Sequence, residues 1–343
     1  MTLLAAHLID AGILFTDGER ILCREPGFAL LEDKGLTTGR EAWASASLEP
    51  RRIQNRYWSD LRAEPLVDTR FRHLTAADLV SKQLEELWNR VSRPGDRLSL
   101  AVPGYMGNDN LGLLLGIAMD LDIPVVAMVD AAVAATRRHY VNAVPVHVDL
   151  GLHSAVLTRL SQDGQVQFER GAVVEASGML SLYDVWLRLI AETFVQQSRF
   201  DPLHTAETEQ VLQDSILNWL QIAASQDSVP MKVVYRGISH DAEIESLQLV
   251  SAADPVYRNI ASNLRALIRG GETPAIQLSD RAARMPGLAE TLRARVGGEI
   301  FLLEPGATAR GLAARCPENR SGSSVTLVRH LPWDQSPVHV EVD

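Results

Sequence analysis

Apolar and polar positions follow the same order in two stretches of the chain. In each stretch, apolar runs predict three strands, and the pattern carries an Asp-x-Gly followed by an Asp-Gly hairpin turn, at Asp10 and Asp17 and again at Asp149 and Asp163. The predicted strands span residues 3–15, 20–24 and 28–31 in the first stretch, and 144–150, 154–160 and 165–170 in the second. This weak internal repeat predicts two related halves, each opening as an antiparallel meander.

Between and after these meanders, apolar residues recur every three to four positions, which is the spacing of a helix. The run over 74–91 is the strongest case, with Thr75 as the expected N-cap and Asp78 in the first turn. Other predicted helices span 108–121, 130–140, 182–197, 205–224, 254–269, 287–296 and 307–314, and other predicted strands span 98–103, 123–129, 231–237, 242–250, 275–280 and 299–305. The last 27 residues, 317–343, predict a partly loose tail in which 326–331 could dock.

Composition narrows the class of protein. A length of 343 residues suggests about two domains, and 46% apolar with 22% charged residues is ordinary for a soluble globular chain. The net charge of −10 argues against nucleic-acid binding, which needs clustered Lys and Arg. No apolar run approaches the ~20 residues of a membrane span. The first residues lack a basic start, so a cytoplasmic location is expected. Cys23 and Cys316 predict two reduced structural thiols.

Six segments between residues 5 and 315 occur in the order of a known superfamily. The chain reads D-A-G-I-L-F from Asp10, A-V-P-G-Y from Ala101, V-D-A-A-V-A-A from Val129, D-L-G-L-H-S from Asp149, I-Q-L-S-D-R-A-A from Ile276, and E-P through G-L-A-A from Glu304 to Ala314. These segments resemble the actin-like ATPases, which include seventy-kilodalton heat-shock chaperones, rod-shape bacterial actins and sugar kinases. The resemblance is closest to the chaperone ATPase domain and its bacterial relatives.

The resemblance implies an α/β, two-lobed actin-like ATPase fold, in which duplicated ribonuclease-H-like domains surround a central cleft. Its first lobe would span 1–143 with a small insertion at about 35–72. The second would span 144–316 with a helical and strand insertion at about 181–250, and 317–343 would form the tail.

The resemblance also names candidate site residues. Asp10, Asp130 and Asp149 fall where the family organises magnesium and water, so they are the catalytic candidates, with Asp10 and Asp149 as metal ligands if magnesium and nucleotide bind. The residues expected to line the cleft are Gly12, Gly151, His153, Ser154, Asp280 and Arg281. An alternative is that the acids cap helices or close strand ends, with Asp130 as an N-cap. Arg281 and Arg284 could reach an anion in the cleft or could be surface arginines.

Three ligand-facing regions depart from the family pattern. A phosphate turn needs glycine so that backbone N–H groups can approach the anion, but Leu152 and His153 follow Gly151 here. In the first loop, 13–15 are Ile, Leu and Phe, which also removes the hydroxyl donors. In the third region, Asp280 and Arg281 replace the glycines on which adenine would lie. Together the changes argue against ATP bound in the usual pose.

Three functions follow from this combination of retained and altered segments. The first is a non-catalytic scaffold or protein-binding module that needs no cofactor, with the helical insertion 181–225 as a possible partner-binding face. The second is an ATP-binding, weakly hydrolysing chaperone-like protein with Asp10 and Asp149 around magnesium. The third is a small-molecule kinase of the same superfamily. The deciding feature is whether the cleft is open or filled by Phe15, Leu152 and His153.

Overall fold

The chain forms a mixed α/β structure, which a computed structural model describes for residues 1–33, 35–317 and 325–341. The strands within these residues are β1 (Leu3–His7), β2 (Ile13–Thr16), β3 (Ile21–Glu25), β4 (Ala29–Glu32), β5 (Gly35–Thr38), β6 (Ile53–Gln54), β7 (Arg97–Val102), β8 (Val125–Asp130), β9 (Tyr140–Val141), β10 (Val144–Leu150), β11 (Ser154–Ser161), β12 (Val166–Glu175), β13 (Ser228–Tyr235), β14 (Ile238–Glu245), β15 (Pro274–Leu278), β16 (Glu299–Leu302), β17 (Leu327–Val328), β18 (His330–Leu331) and β19 (Val338–His339).

Along the chain, the helices lie between the strands. They are α1 (Gly39–Trp43), α2 (Ala76–Val91), α3 (Asn108–Asp120), α4 (Ala131–Ala135), α5 (Met179–Ser198), α6 (Ala206–Ala223), α7 (Ser246–Arg265), α8 (Asp280–Ala283), α9 (Leu288–Val296) and α10 (Ala307–Arg315), with one short 3-10 helix at Thr69–Phe71. None of the helices in the described residues is both long and apolar enough to cross a membrane.

Two six-stranded sheets share the arrangement of five of their strands and differ in the sixth, because β17 lies beside β8 whereas β18 lies beside β12. The first sheet has the order β17-β8-β7-β1-β2-β3, and the second has the order β16-β15-β10-β11-β12-β18. In each sheet three antiparallel strands form a meander, and two later strands add in parallel beside the first strand of that meander. The central strand β10 is buried along nearly its whole length, which explains its continuous apolar run. The internal repeat in the sequence therefore corresponds to a repeated sheet topology.

The prediction of a single strand over 3–15 is wrong. The backbone reverses between β1 and β2, and the Gly12 amide donates to the carbonyl of Ile9 at 2.9 Å to close the turn. Because residues on both sides of the turn are buried, the apolar run gives no sign of the reversal. The predicted third strand, 28–31, does not continue the meander either, since β4 belongs to a separate three-stranded sheet of order β5-β4-β6.

Two helix boundaries also differ from prediction. The helix expected over 130–140 ends at Ala135, where Thr136 turns to extended backbone and its hydroxyl donates to the carbonyl of Ala132. The strand expected over 242–250 ends at Glu245, because the side chain of Gln248 accepts the Glu245 amide at 3.1 Å and begins α7. Both boundaries fall in short segments, where helix and strand patterns are hard to separate.

Two local predictions are confirmed. Thr75 caps α2, and it forms a reciprocal capping box with Asp78. Residues 326–331 dock as expected, since β17 pairs with β8 in the first sheet and β18 pairs with β12 in the second. Residues 318–324 and 342–343, which belong to the predicted loose tail, lie outside the described residues.

Two helices cross at the boundary between the halves. Helix α4 follows the first sheet and contacts β7 and β8 of that sheet as well as β11 and β12 of the second, whereas α10 follows the second sheet but packs on β1, β2 and β7 of the first. The two helices cross where Gly311 of α10 approaches the carbonyl oxygen of Ala134, a position at which any Cβ would clash. A third apolar cluster, between the clusters of the two sheets, surrounds this crossing.

We expect Gly311→Ala to destabilise the fold by about 1–3 kcal/mol, because the new methyl group overpacks the α4–α10 crossing. Urea unfolding monitored by circular dichroism measures the change in the free energy of unfolding. Gly112→Ala on α3 is the matched control: it is exposed and meets nothing within 4 Å, so it should stabilise by about 0.5–1 kcal/mol through helix propensity. Equal effects of the two substitutions would contradict the close crossing.

Candidate functional site

The two Asp-x-Gly turns contact each other directly. The turn after β1 presents Asp10, and the turn after β10 presents Gly151 and Leu152. The Leu152 amide donates to Oδ1 of Asp10 at 2.8 Å, across the boundary between the halves. A Cβ on Gly151 would lie 2.8 Å from the same oxygen, which explains the glycine at this position. The first aspartate therefore accepts a backbone donor from the second half of the chain.

The second aspartate is neutralised by an arginine. Nη2 of Arg281 lies 2.9 Å from both carboxylate oxygens of Asp149, and its Nε donates to the carbonyl of Leu150 at 3.2 Å. The arginine is placed by α8, which follows β15 directly and begins at the Ser279 N-cap. Arg281 is only 7% exposed, so the prediction that it could be a surface arginine is wrong, whereas Arg284 on the same helix is exposed. The partner of Arg281 is a strand-end carboxylate that parallel pairing of β10 and β15 brings alongside it.

Two buried histidines complete the surroundings of Asp149. Nε2 of His7, from β1, lies 3.4 Å from Oδ2 of Asp149, and His147 lies two residues before Asp149 on β10. Burial lowers the pKa of His7 to about 3, so His7 is neutral in the folded protein at neutral pH. Burial by itself raises the pKa of Asp149, but the Arg281 charge outweighs it and the pKa is lowered to about 2.

The pKa of Asp10 is shifted in the opposite direction to that of Asp149. Burial raises its pKa to about 6, and the hydrogen bonds from the Leu152 and Ala11 amides offset only part of that effect. The two aspartates thus differ because Asp149 has a cation at hydrogen-bonding distance and Asp10 has mainly backbone donors.

The predicted adenosine segment is tied to the first sheet. The Asp280 carboxylate accepts a hydrogen bond from Nη2 of Arg24 at 2.7 Å, and Arg24 lies on β3. A Cβ on Gly12 would lie 3.5 Å from both the Arg24 side chain and Nη1 of Arg281. Gly12, Asp280 and Arg281 therefore lie close together, where Asp280 and Arg281 form ion pairs with other protein side chains.

Beyond the two turns, apolar side chains from both halves pack together in one cluster. Leu152 is buried with residues of the first half and of α5: Phe28, Leu30, Ala42, Trp43 and Leu180. The Trp43 ring meets the Tyr183 ring edge-on, with 6.0 Å between centroids. The side chain of Gln210 on α6 accepts a hydrogen bond from the Ser47 amide at 2.9 Å and donates one to the carbonyl of Trp43.

The remaining candidates of the second turn also contact protein. Nε2 of His153 lies 3.0 Å from Oδ1 of Asn55, and burial lowers its pKa. Ser154 begins β11, and its carbonyl accepts the Gly151 amide at 2.9 Å. Phe15 does not reach the cleft, contrary to prediction: it lies on β2 opposite Ala6 and packs into the core of the first sheet. Its direction follows from the alternation of side chains along a strand.

Asp130 is a helix cap, as the alternative interpretation holds. Its Oδ1 accepts the amides of Ala132 and Val133 at 3.0 and 3.2 Å and begins α4. Its other oxygen is buried against Gly104, where a Cβ would lie 2.9 Å away, and burial raises the pKa of Asp130 to about 6. The side chain acts on its own helix, and within residues 1–33, 35–317 and 325–341 no three His, Cys, Asp or Glu side chains converge as a metal-ligand set.

Sequence reasoning did not identify His7, His147 or Gln210 as part of this boundary. The available signal was the presence of two histidines within otherwise apolar strands, a few residues before Asp10 and Asp149. Buried polar groups need partners, so such histidines point to an acid nearby. Gln210 carried no signal, because its partners in the first half lie more than 160 residues away.

No protein-family model matches the chain, and no curated protein matches it.

We expect Arg281→Ala to destabilise the protein by about 3–5 kcal/mol, because it leaves the Asp149 carboxylate buried without its cation. Thermal and urea unfolding measure the loss. Arg284→Ala is the matched control on the same short helix, and because Arg284 is exposed it should cost at most about 1 kcal/mol. Similar losses for the two variants would show that the Arg281 pair is not buried as described.

The raised pKa of Asp10 predicts a pH-dependent effect of Asp10→Asn. Between its ordinary value near 3.8 and its folded value of about 6, ionisation of Asp10 is disfavoured in the folded state, so its contribution to stability falls as pH rises through this window. Asparagine keeps an acceptor for the Leu152 amide and does not ionise. The stability of Asp10→Asn relative to the natural protein should therefore rise by about 2–3 kcal/mol between pH 4 and pH 7.5. Urea titrations across that range measure it, and a flat difference would contradict the raised pKa.

Proposed function

We propose that this chain is a non-catalytic scaffold on an actin-like fold, a pseudo-ATPase that acts by binding protein. The observation that carries the proposal is the occupation of both turn aspartates by protein groups. Asp149 holds the Arg281 guanidinium, and Asp10 holds the Leu152 amide. These are the carboxylates that the resemblance assigns to magnesium.

The repeated sheet topology supports the two-lobed form of this fold. Two sheets that share the order and directions of five strands, with α4 and α10 packed against each other at their boundary, are what duplicated ribonuclease-H-like domains would contain. The Asp-x-Gly turns lie at corresponding places, after the first strand of each meander. Fold alone does not select a function, so the site decides between the candidates.

The residues of the boundary do not fit a magnesium–nucleotide group. A magnesium ion needs free carboxylate oxygens, and taking those of Asp149 would leave the buried Arg281 cation unpaired. Phosphates would need the space and amides of the second turn, but Leu152 packs into an apolar cluster and its amide is bonded. Adenosine would have to displace the Asp280–Arg24 pair.

One observation favours the second candidate, an ATP-binding and weakly hydrolysing chaperone-like protein. The turns of Asp10 and Asp149 face each other across the boundary of the two halves, as a magnesium site would require. In that case Arg281 would have to leave Asp149 when the nucleotide arrives. A small-molecule kinase has no observation of its own in its favour.

Surface composition supports a protein partner for the second half. Half of the large exposed apolar side chains in the described residues fall within 195–247, namely Val195, Leu203, Val211, Leu217, Val234, Ile238 and Leu247. This segment contains α6 and the β13–β14 hairpin, and it overlaps the insertion predicted as a partner-binding face. Contiguous exposed apolar patches mark interaction surfaces, so a patch formed by these side chains would be the proposed partner-binding face.

The scaffold proposal predicts no nucleotide binding. Isothermal titration calorimetry with ATP and magnesium should give no heat of binding, and a thermal-shift series with ATP, ADP and magnesium should leave the melting temperature unchanged, since a ligand raises it only by preferring the folded state. Asp10→Ala is tested in parallel as the variant that removes a required carboxylate.

Micromolar binding of ATP that disappears in Asp10→Ala would overturn the scaffold proposal and support the second candidate. Binding that is equal in both proteins would place a nucleotide away from the two turns and would contradict both.

A further inference from the structure

A C-terminal segment connects the two sheets at the side where the halves meet. Residues 325–341, here called the strap, contain β17, β18 and β19. β17 extends the first sheet by pairing with β8, and two residues later β18 extends the second sheet by pairing with β12. The Phe168 amide of β12 donates to the carbonyl of Arg329, which lies between the two short strands, at 2.8 Å.

The strap also covers the connection between the halves. Val338 and His339 of β19 pair with β9, which lies on the crossover from α4 to the second sheet. Asp334 forms an ion pair with Arg137 of that crossover, and the ring of Trp333 lies 4.8 Å from that of His139. One segment thus contacts the first sheet, the crossover and the second sheet.

A buried arginine links the strap to the helix crossing. Arg315, at the end of α10, donates to the carbonyls of Val133, Ala134 and Thr136 at the end of α4 and just beyond it. It also donates to the carbonyl of Pro332 in the strap at 3.0 Å. A relative rotation of the halves would change the α4–α10 crossing, and the strap would have to follow it or detach.

We propose that the strap is an interlobe clamp: while docked, it holds the two halves in the closed arrangement in which the Asp10 and Asp149 turns touch, and its release lets them separate. The strap is built for local release. Only Leu331 and Val340 are buried among its described residues, and its ion pair and side-chain amide contacts to the crossover lie near the surface. Segments with few buried apolar contacts open at lower free energy than the core does.

Two amides report strap release and separation of the halves independently. The Phe168 amide is bonded to the strap, so its hydrogen exchange reports strap release. The Leu152 amide is bonded to Asp10 across the boundary, so its exchange reports separation of the two turns. Amides of β7 and of α7, such as those of Leu98 and Leu264, lie within one half and serve as internal references.

Residue-resolved hydrogen exchange on the full chain, without nucleotide, tests the proposal. Leu331→Asp places a charge where the strap's leucine packs between the sheets, and we expect exchange at both Phe168 and Leu152 to become roughly tenfold faster or more. Ser336→Asp adds the same charge at an exposed position of the strap and should leave both rates unchanged.

Faster exchange at Phe168 with an unchanged rate at Leu152 would overturn the clamp, because the strap would then leave without loosening the boundary. If Leu331→Asp also accelerates hydrogen exchange at the Leu98 and Leu264 amides, the substitution has unfolded more than the strap. In that case the same exchange rates are measured in Asp334→Lys, which reverses the charge facing Arg137 and Arg315. The clamp is independent of nucleotide binding, so this experiment and the calorimetry can fail separately.

Discussion

The buried ion pair between Arg281 and Asp149 is the interaction from which the rest of the boundary follows. Parallel pairing of β10 with β15 brings the two residues to the same edge of the second sheet. A charge at this depth must be paired, because leaving either partner alone costs several kcal/mol. The guanidinium satisfies the carboxylate with two contacts and holds the Leu150 carbonyl with a third. The pair is a fixed part of the protein interior.

Residues of the first half contact this ion pair and the turn beside it. His7 approaches the same carboxylate from β1 and is neutral because of burial. Asp10 lacks an equivalent cation, so it accepts the Leu152 amide, and the Leu152 side chain then packs against Phe28 and Trp43. A cleft that exchanges ligands would need free polar groups on both walls. Here the Leu152 amide satisfies Asp10 across the boundary and Arg281 neutralises Asp149 within the second half, and these contacts are the basis of the scaffold proposal.

The two ends of the boundary are held by different kinds of contact. At the turns, buried polar contacts and an apolar cluster join the halves directly. At the helix crossing, the close approach of Gly311 to Ala134 and the added strands of the strap join them through the backbone. Helices α4 and α10 thus contact elements of both halves where the halves meet.

Features set by nearby residues could be predicted from the sequence. The repeated strand order was predictable because buried central strands are continuously apolar and because Asp-Gly turns are local signals, and the Thr75 cap needs only Asp78 three residues later. The reversal inside 3–15 escaped prediction because the residues on both sides of the turn are apolar. The candidate residues around Asp10 and Asp149 were identified by resemblance, but their partners were not.

Local patterns therefore establish that the chain has two similar α/β halves and that each carries an altered Asp-x-Gly turn. Long-range packing establishes what those turns do. Whether Arg281 faces solvent or Asp149 depends on the parallel register of β10 and β15 and on a partner 132 positions away. No periodicity within the chain encodes such pairings, because the partners meet only when the sheets have formed.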